Sequence, residues 1–180
     1  MSRIPQVNLN DYLSGDASSK EKFIKDIGKG FSEIGFVAVK GHLLNDEVKE
    51  SLYKEVRQFF SLPDNIKSKY IIKGLASQRG FTPFGKEHAK GKNVGDLKEF
   101  WHFGQYVKNE PEMEDKYPEN VTVEELENFN KIGQKTYELL EDTGRHILRA
   151  IACYLELEET YFDKHIFFLL YTSDADEETV

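Results

Sequence analysis

A helical pattern that ends at a glycine and passes directly into an apolar strand constrains this chain more than any other feature. It occupies residues 30–42, Gly-Phe-Ser-Glu-Ile-Gly-Phe-Val-Ala-Val-Lys-Gly-His. Gly35 ends the helical face, and residues 36–39 follow as a strand before Gly41 and His42 turn the chain. Because residues 36–39 are all apolar, we expect both faces of this strand to be covered. The unit predicts helices that pack on a sheet.

The composition indicates a globular chain and excludes two classes of partner. The 180 residues are 39% hydrophobic and 31% charged, with a net charge of -8. Without a lysine cluster, such a chain lacks the basic face that nucleic acids and anionic membrane surfaces require. No window reaches the roughly 18 apolar residues of a membrane span. The single cysteine, Cys153, excludes an intrachain disulfide, and with no signal-peptide pattern we expect a cytoplasmic protein.

Three segments have the apolar periodicity of amphipathic helices: residues 18–34, 45–60 and 122–157. Asn45 is the predicted N-cap of the second helix. Capping boxes are predicted for the first helix at Ser18 and Glu21, and for the third at Thr122 and Glu125. The third helix is the longest.

Short apolar segments predict four strands, at residues 4–9, 36–39, 81–84 and 99–106. Residues 10–17 are polar and predict a loop, and Pro63 opens a short helix that continues to Tyr70. These elements predict an α+β fold in which helices pack on one small mixed sheet.

The five histidines do not form a metal-binding pattern. An iron site of two histidines and one carboxylate usually appears as His-x-Asp or His-x-Glu on a strand, because side chains two residues apart share a face. No histidine here has an acidic residue two positions later. The single Glu-x-x-His, at Glu99 and His102, lies in a strand-like context, whereas a di-iron bundle needs two such motifs on helices. We therefore predict no metal ligand and no catalytic residue in this chain.

Arg79, Phe81 and Trp101 are the candidate substrate-binding residues. An arginine beside a glycine and an aromatic residue can present a bidentate cation to a carboxylate, although a solvated loop arginine fits the same pattern. For the aromatic residues, core packing is the alternative to a pocket wall. An iron-free enzyme built around Arg79, Glu87 and His88 has weaker support.

Several segments in a fixed order resemble the isopenicillin N synthase-like dioxygenases, which depend on Fe(II) and 2-oxoglutarate. The resemblance covers about residues 3–165 and matches the N-terminal, non-haem dioxygenase region of that family. Its segments are Ile4–Leu9, Gly30–His42, Phe59–Pro63 with Lys67 and Tyr70, Arg79–Pro83 and Asp96–Trp101.

The resemblance implies the N-terminal portion of an oxygenase with a double-stranded β-helix, or jelly-roll, core. It also implies that Fe(II) and 2-oxoglutarate serve the parent protein in hydroxylation, desaturation or cyclisation of a small molecule. Family members hold iron with a His-x-Asp pair and a distal histidine, and 2-oxoglutarate with an Arg-x-Ser. No position here matches these residues, so we expect neither cofactor to bind this chain specifically. Arg79 falls where some family members place a substrate-contacting arginine.

The resemblance divides the chain into three parts. Residues 1–120 correspond to the N-terminal domain, and residues 121–165 to a long helix that leads into the jelly-roll core. Residues 166–180 are similar to a translated sequencing adapter, and we expect them to be non-native. The chain as written is then an inactive fragment. The alternative is a shortened, non-catalytic homologue that serves as a binding or dimerisation module.

Overall fold

The computed structural model describes residues 4–75, 77–87, 95–106 and 117–163. Its contacts divide the chain into two compact units. Unit 1 contains the described residues up to Leu43 and those from Leu139 onward, and unit 2 contains those between Leu44 and Glu138. None of the described helices combines the length and the apolar composition that crossing a bilayer requires. The segment 166–180 lies outside the described residues.

A two-stranded parallel sheet forms one side of unit 1. Strand β1 (Gln6–Asn8) pairs with β2 (Ala38–Lys40), and Val7 lies opposite Val39. Both predicted strands are therefore present, but each is three residues long. The predicted loop at residues 10–17 is wrong, because a short helix, α1 (Leu9–Leu13), follows β1 directly.

Helix α2 (Ala17–Lys29) begins at a different cap from the predicted one. The Asp16 side chain accepts a hydrogen bond from the Ser19 backbone N–H at 2.8 Å, so Asp16 and not Ser18 is the N-cap. Aspartate fills this position as well as serine does, and the pattern alone did not separate the two.

A π-helical turn, Gly30–Ile34, connects α2 to the strand that follows. Gly35 ends this turn in the left-handed region at φ 85°, as the sequence predicted. The expected covering of both strand faces is wrong at its first residue, because Phe36 is 69% exposed. The predicted helix over 18–34 is thus an α-helix followed by a π-turn.

The core of unit 1 contains side chains from the sheet, from α1 and α2, and from the C-terminal end of a long helix, α5 (Glu127–Tyr154). The side chain of Ile27 is fully buried, and the rings of Tyr12 and Phe23 pack at a tilt of 37° with centroids 5.5 Å apart. The buried residues of this core are Val7, Leu9, Tyr12, Phe23, Ile27 and Ala150.

Two helices of unit 2 follow their predicted bounds closely. Helix α3 (Asp46–Phe60) is capped by Asn45, whose side chain accepts a hydrogen bond from the Val48 N–H at 2.9 Å. Pro63 precedes α4 (Asp64–Lys67), which continues as a 3₁₀ turn to Tyr70. Both predictions are confirmed.

Helix α5 starts five residues later than the capping box at Thr122 predicted. The Asn130 side chain instead accepts a hydrogen bond from the Val123 N–H and donates one to the Val123 carbonyl. The Glu125 carboxylate accepts hydrogen bonds from the Tyr70 hydroxyl and the Lys69 ammonium group. Glu125 is therefore a tertiary partner and not a capping residue.

A second sheet lies in unit 2. Strand β3 (Gly80–Thr82) pairs with β4 (Phe100–His102) in antiparallel register, with Phe81 opposite Trp101. The α+β class is confirmed, but the described strands form two separate two-stranded sheets and not the expected single mixed sheet. The aromatic core behind β3 contains Phe59, Tyr70, Phe81, Val123 and Phe129.

Candidate functional site

The segment that enters β3 is held by backbone geometry that requires glycine. Gly80 has φ 74°, and a Cβ there would lie 2.4 Å from the Tyr70 carbonyl oxygen. Ile71 forms a bridge to Gly80, so the chain after the 3₁₀ turn runs beside the start of β3. This approach brings residues 71–74 next to residues 79–83 and creates the wall of a cavity.

The cavity has a volume of about 320 Å³. Its wall contains three cationic side chains, two hydroxyls and a set of apolar side chains, with no acidic residue among the lining residues described. These residues are Ile71, Ile72, Lys73, Gly74, Ser77, Arg79, Phe81, Thr82, Pro83 and Lys86. Two of the three predicted substrate-binding residues, Arg79 and Phe81, therefore share one cavity.

Arg79 is buried, with 9% of its surface exposed. Its Nε donates a hydrogen bond to the Pro118 carbonyl at 3.1 Å, and its Nη1 donates one to the Gln78 carbonyl at 2.7 Å. The guanidinium lies against Gly104, where a Cβ would come within 1.8 Å of it. The alternative of a solvated loop arginine is wrong.

The charge of Arg79 has little compensation from the described residues. Burial lowers its pKa, and the groups that raise it are the hydroxyls of Tyr137 and Tyr106. Arg79 nevertheless stays protonated, because the ordinary pKa of arginine lies far above neutral pH. No carboxylate of the described residues contributes to this balance. A buried cation in this state favours an anion beside it.

Phe81 belongs to both the cavity and the aromatic core. It is 4% exposed, and its ring lies 5.8 Å from that of Phe59 between centroids. The Lys67 ammonium group lies 5.4 Å from the centroid of the Phe81 ring. The same ammonium group donates a hydrogen bond to Glu99 at 2.9 Å. No sequence pattern signalled this pair, because the two residues are 32 positions apart.

Trp101 does not line this cavity. Its ring lies 4.8 Å from Phe59 and 5.0 Å from Phe129 between centroids, so it packs within the aromatic core. Its indole Nε1 is buried without a hydrogen-bond partner among the described residues. The alternative of core packing fits this placement, and a contact with substrate stays a prediction.

The sequence analysis missed Thr82, Lys73 and Lys86. The Thr82 side chain is 2% exposed, and its hydroxyl has no hydrogen-bond partner among the described residues. Buried hydroxyls are normally paired, so an unpaired one beside a cavity needs an explanation. No local sequence pattern marked Thr82, because its burial depends on residues that meet it only in the folded chain.

The described residues contain no group of three histidine, cysteine or carboxylate side chains that could hold a metal ion. The Nδ1 of His102 lies 2.6 Å from the Ser77 carbonyl oxygen, while Glu99 pairs with Lys67. The two residues of the Glu-x-x-His motif, Glu99 and His102, therefore contact different partners. Burial lowers the pKa of His146. His88 and His165 lie outside the described residues, so the hypothesis that combined Arg79, Glu87 and His88 stays a prediction.

Comparison with known proteins adds a family match. Residues 4–125 match the family described as the N-terminal region of the non-haem dioxygenase in morphine synthesis. A 2-oxoglutarate-dependent dioxygenase of Aspergillus flavus is 35% identical over 86 residues, which is 47% of this chain and 24% of that protein. A 1-aminocyclopropane-1-carboxylate oxidase of Dictyostelium discoideum is 29% identical over 170 residues, covering 91% of this chain and 45% of that protein.

Solved structures match over most of the chain. A protein from Caulobacter crescentus assigned to the 2OG-Fe(II) oxygenase family has a TM-score of 0.77 at 31% identity, covering 91% of this chain and 52% of that one. A full-length Neurospora crassa protein, solved in complex with α-KG, has a TM-score of 0.71 at 24% identity, a likeness of fold alone. That match covers 89% of this chain and 46% of the Neurospora crassa protein. The chain therefore spans about half the length, or less, of the proteins it matches.

Proposed function

Because the chain belongs to the family of non-haem dioxygenase N-terminal regions, we propose that it forms the N-terminal part of an Fe(II)- and 2-oxoglutarate-dependent oxygenase that acts on a small molecule. The observation that carries this proposal is the family match over residues 4–125. The similarity to the Caulobacter crescentus protein, with a TM-score of 0.77, supports it. The resemblance found in the sequence is thereby confirmed at the level of the family.

The iron and the 2-oxoglutarate belong, in this proposal, to a jelly-roll core that this chain does not supply. The described residues do not fit an iron site, since no group of three metal-binding side chains occurs among them. The relatives extend well beyond the matched region, with 45% of the Dictyostelium discoideum oxidase matched. We propose residues 1–120 as the N-terminal domain and residues 121–165 as the connection to that core.

The part of the protein described here contributes to substrate binding and not to the redox chemistry. Arg79 and Phe81 share a cavity of about 320 Å³, which is at the small end of the range for small-molecule sites. In this proposal the buried guanidinium orients a substrate and the aromatic ring packs against its apolar part. Trp101 lies opposite Phe81 in the β3–β4 register. In this proposal it packs in the aromatic core and supports the position of the Phe81 ring.

Iron content and turnover test the proposal directly. We expect the 180-residue chain, reconstituted anaerobically with Fe(II) and then given 2-oxoglutarate and oxygen, to hold no stoichiometric iron and to release no succinate above a protein-free blank. One tightly bound iron per chain, or succinate above the blank, would contradict the assignment of the cofactor site to a missing core.

The genomic DNA downstream of codon 165 provides the matching positive test. We expect it to continue in frame to a His-x-Asp strand, and the protein encoded by the extended frame to bind one iron and release succinate. An in-frame stop without that strand would favour the alternative, a shortened homologue that binds a ligand or a second copy without turnover.

A further inference from the structure

Residues 155–163 follow the end of α5 and lie on the surface of unit 1; we call this segment the strap. Residues 155–161 are all exposed, including the large apolar side chains of Leu155, Leu157 and Tyr161. None of the described strap residues belongs to the core of unit 1. A segment that buries so little apolar surface has a low free energy of local opening unless polar contacts hold it in place.

Glu159 connects the strap to both α1 and α2. Its carboxylate accepts a hydrogen bond from the Tyr12 hydroxyl at 2.5 Å and one from the Lys20 ammonium group at 3.1 Å. The Lys20 nitrogen also lies 4.7 Å from the centroid of the Tyr12 ring. The two donors are 147 and 139 positions from Glu159 along the chain, so these contacts form when the strap lies against the two helices.

Asp163 connects the other end of the strap to α5. Its carboxylate accepts hydrogen bonds from Arg149, from Nη2 at 2.6 Å and from Nε at 3.1 Å. Bidentate pairs of this kind are stronger and more specific in geometry than single hydrogen bonds. Two carboxylates therefore hold the strap, and each of them binds a different part of unit 1.

The hydrogen bonds within the strap are short-range. The Tyr161 N–H donates to the Glu158 carbonyl at 2.9 Å, and the Asp163 N–H donates to the Thr160 carbonyl at 3.0 Å. Isolated turns are marginal in water, because each one fixes several dihedral angles for one hydrogen bond. We therefore expect both turns to be lost when the carboxylate contacts break, so the Tyr161 and Asp163 amides report on the strap.

The strap also influences Cys153, the one cysteine of the chain. This thiol is half-buried on α5, and burial raises its pKa. The Glu159 carboxylate raises that pKa further, whereas the Lys20 ammonium group lowers it. Both groups are therefore near enough to act on the thiol, and its reaction with a neutral reagent reports on the strap independently of the amides.

We propose that the strap is a conformational device that opens and closes as one unit, with Glu159 and Asp163 as its two points of attachment. The closed strap fixes the direction in which the chain continues from α5, and the open strap does not. This inference rests on the proposed function only where residues 121–165 lead to the jelly-roll core, since the strap then sets the approach of that core. Opening itself involves unit 1 alone.

Amide hydrogen exchange of the 180-residue chain, followed by nuclear magnetic resonance, tests the opening. We expect the Tyr161 and Asp163 amides to share one opening constant, at least about tenfold larger than that of the Ala150 amide in the core of unit 1. Unequal opening constants in the strap, or exchange of all three amides by global unfolding, would overturn the proposal.

Two substitutions each remove one attachment. Tyr12→Phe keeps the ring and the Glu159 charge but removes the hydroxyl donor, and it should raise the opening constant at Asp163 by about tenfold. Asp163→Asn removes the charge of the Arg149 pair and should raise the opening constant at Tyr161 by about fivefold. An effect confined to the end of the strap nearest the substitution would contradict opening as one unit.

Alkylation of Cys153 by iodoacetamide gives a second measurement. Asp163→Asn should speed alkylation by about threefold at constant pH, because the thiolate forms more readily when the strap is open. Glu158→Gln is the matched control: the Glu158 carboxylate accepts a hydrogen bond from Thr160 within the strap, and we expect the exchange and alkylation rates of the parent chain. Unchanged alkylation in Asp163→Asn would overturn the proposal. Neither outcome alters the iron and genomic tests, so the two proposals can fail separately.

Discussion

At the residue scale, Gly28 is needed for close packing inside unit 1. A Cβ at this position would lie 2.2 Å from the Tyr154 ring, so no side chain fits unless the ring moves. We predict that Gly28→Ala lowers the free energy of unfolding by about 1–3 kcal/mol, although alanine is the better helix former. The measurement is urea denaturation followed by circular dichroism.

Gly144 is the matched control for this substitution. It also lies inside a helix, but a Cβ there would meet nothing within 4 Å. Gly144→Ala should therefore raise the free energy of unfolding by about 1 kcal/mol, as helix propensity alone predicts. Effects of the same sign at the two glycines would contradict the packing argument.

Glu156 occupies a backbone position that favours glycine. It follows α5 with φ 58°, and the Leu157 N–H donates to the Ala152 carbonyl at 2.9 Å while the Glu156 N–H donates to the Cys153 carbonyl at 3.1 Å. These two bonds form a Schellman motif with Glu156 at C′. Glu156→Gly should therefore raise the thermal midpoint, by the equivalent of about 1 kcal/mol.

A glutamate inside α5 gives the control for that prediction. Glu138 lies within α5, so Glu138→Gly should lower the thermal midpoint, because glycine costs about 1 kcal/mol in a helix interior. Lower midpoints for both variants would mean that the left-handed conformation of Glu156 carries no strain.

At the element scale, a largely buried ion pair connects α4 to the segment that enters β4. The Lys67 and Glu99 side chains are 6% and 17% exposed and lie 2.9 Å apart. Glu99 raises the pKa of Lys67 through this hydrogen bond, so the lysine is charged at neutral pH. We predict that Lys67→Met lowers the free energy of unfolding by about 2 kcal/mol, since it leaves the partly desolvated Glu99 carboxylate without its lysine partner.

The double variant shows whether the cost comes from the unpaired charge. Lys67→Met combined with Glu99→Gln should recover a large part of the stability lost in Lys67→Met, measured by urea denaturation. The exposed pair Lys131 and Glu127, whose side chains are 69% and 79% exposed, is the comparison. Lys131→Met should leave the urea midpoint unchanged. No recovery in the double variant would indicate that packing of the lysine stem, and not its charge, stabilises α4.

At the scale of the whole molecule, one bidentate ion pair makes stability depend on pH. Arg149 donates to Asp163 from Nη2 at 2.6 Å and from Nε at 3.1 Å. The hydrogen bond from Arg149 holds the pKa of Asp163 below its ordinary value of 3.8. Because this pKa is lower in the folded state, the pair stabilises the protein above the unfolded pKa and ceases to do so as the pH falls through the folded one.

We therefore predict that Asp163→Asn lowers the free energy of unfolding by about 1 kcal/mol at neutral pH and by progressively less as the pH falls below 3.8. Urea denaturation at a series of pH values measures the difference. Asp142→Asn, at an exposed carboxylate with no ion pair described for it, is the comparison variant. A difference for Asp163→Asn that does not depend on pH would contradict the role of the ion pair.

The sequence predicted the elements better than their ends. Periodicity located α2, α3 and α5, and Asn45 and Gly35 were correct because a cap and a left-handed glycine act within a few residues. Thr122 and Glu125 matched a capping box, yet Glu125 bonds to Tyr70, 55 positions away. A local pattern cannot reveal that a tertiary partner competes for the same side chain.

The candidate site was likewise predicted where the signal is local and missed where it depends on tertiary contacts. Arg79 and Phe81 were recognised because arginine, glycine and an aromatic residue stand next to each other in the sequence. Thr82 was missed because its burial and its unpaired hydroxyl depend on tertiary contacts, which no local pattern reveals. The strand is three residues long and begins at a glycine in the left-handed region, so alternation does not describe its two ends.

By itself, the sequence determined the family, the helices and the lack of a His-x-Asp iron motif in this chain. These properties depend on residues that are neighbours along the chain, or on an ordered series of short segments. The tertiary structure alone decided that Arg79 is buried against the Pro118 carbonyl, 39 positions away, and that its cavity has cations without acids among its described lining residues. Burial and charge compensation depend on which distant residues meet, and that is set only when the chain folds.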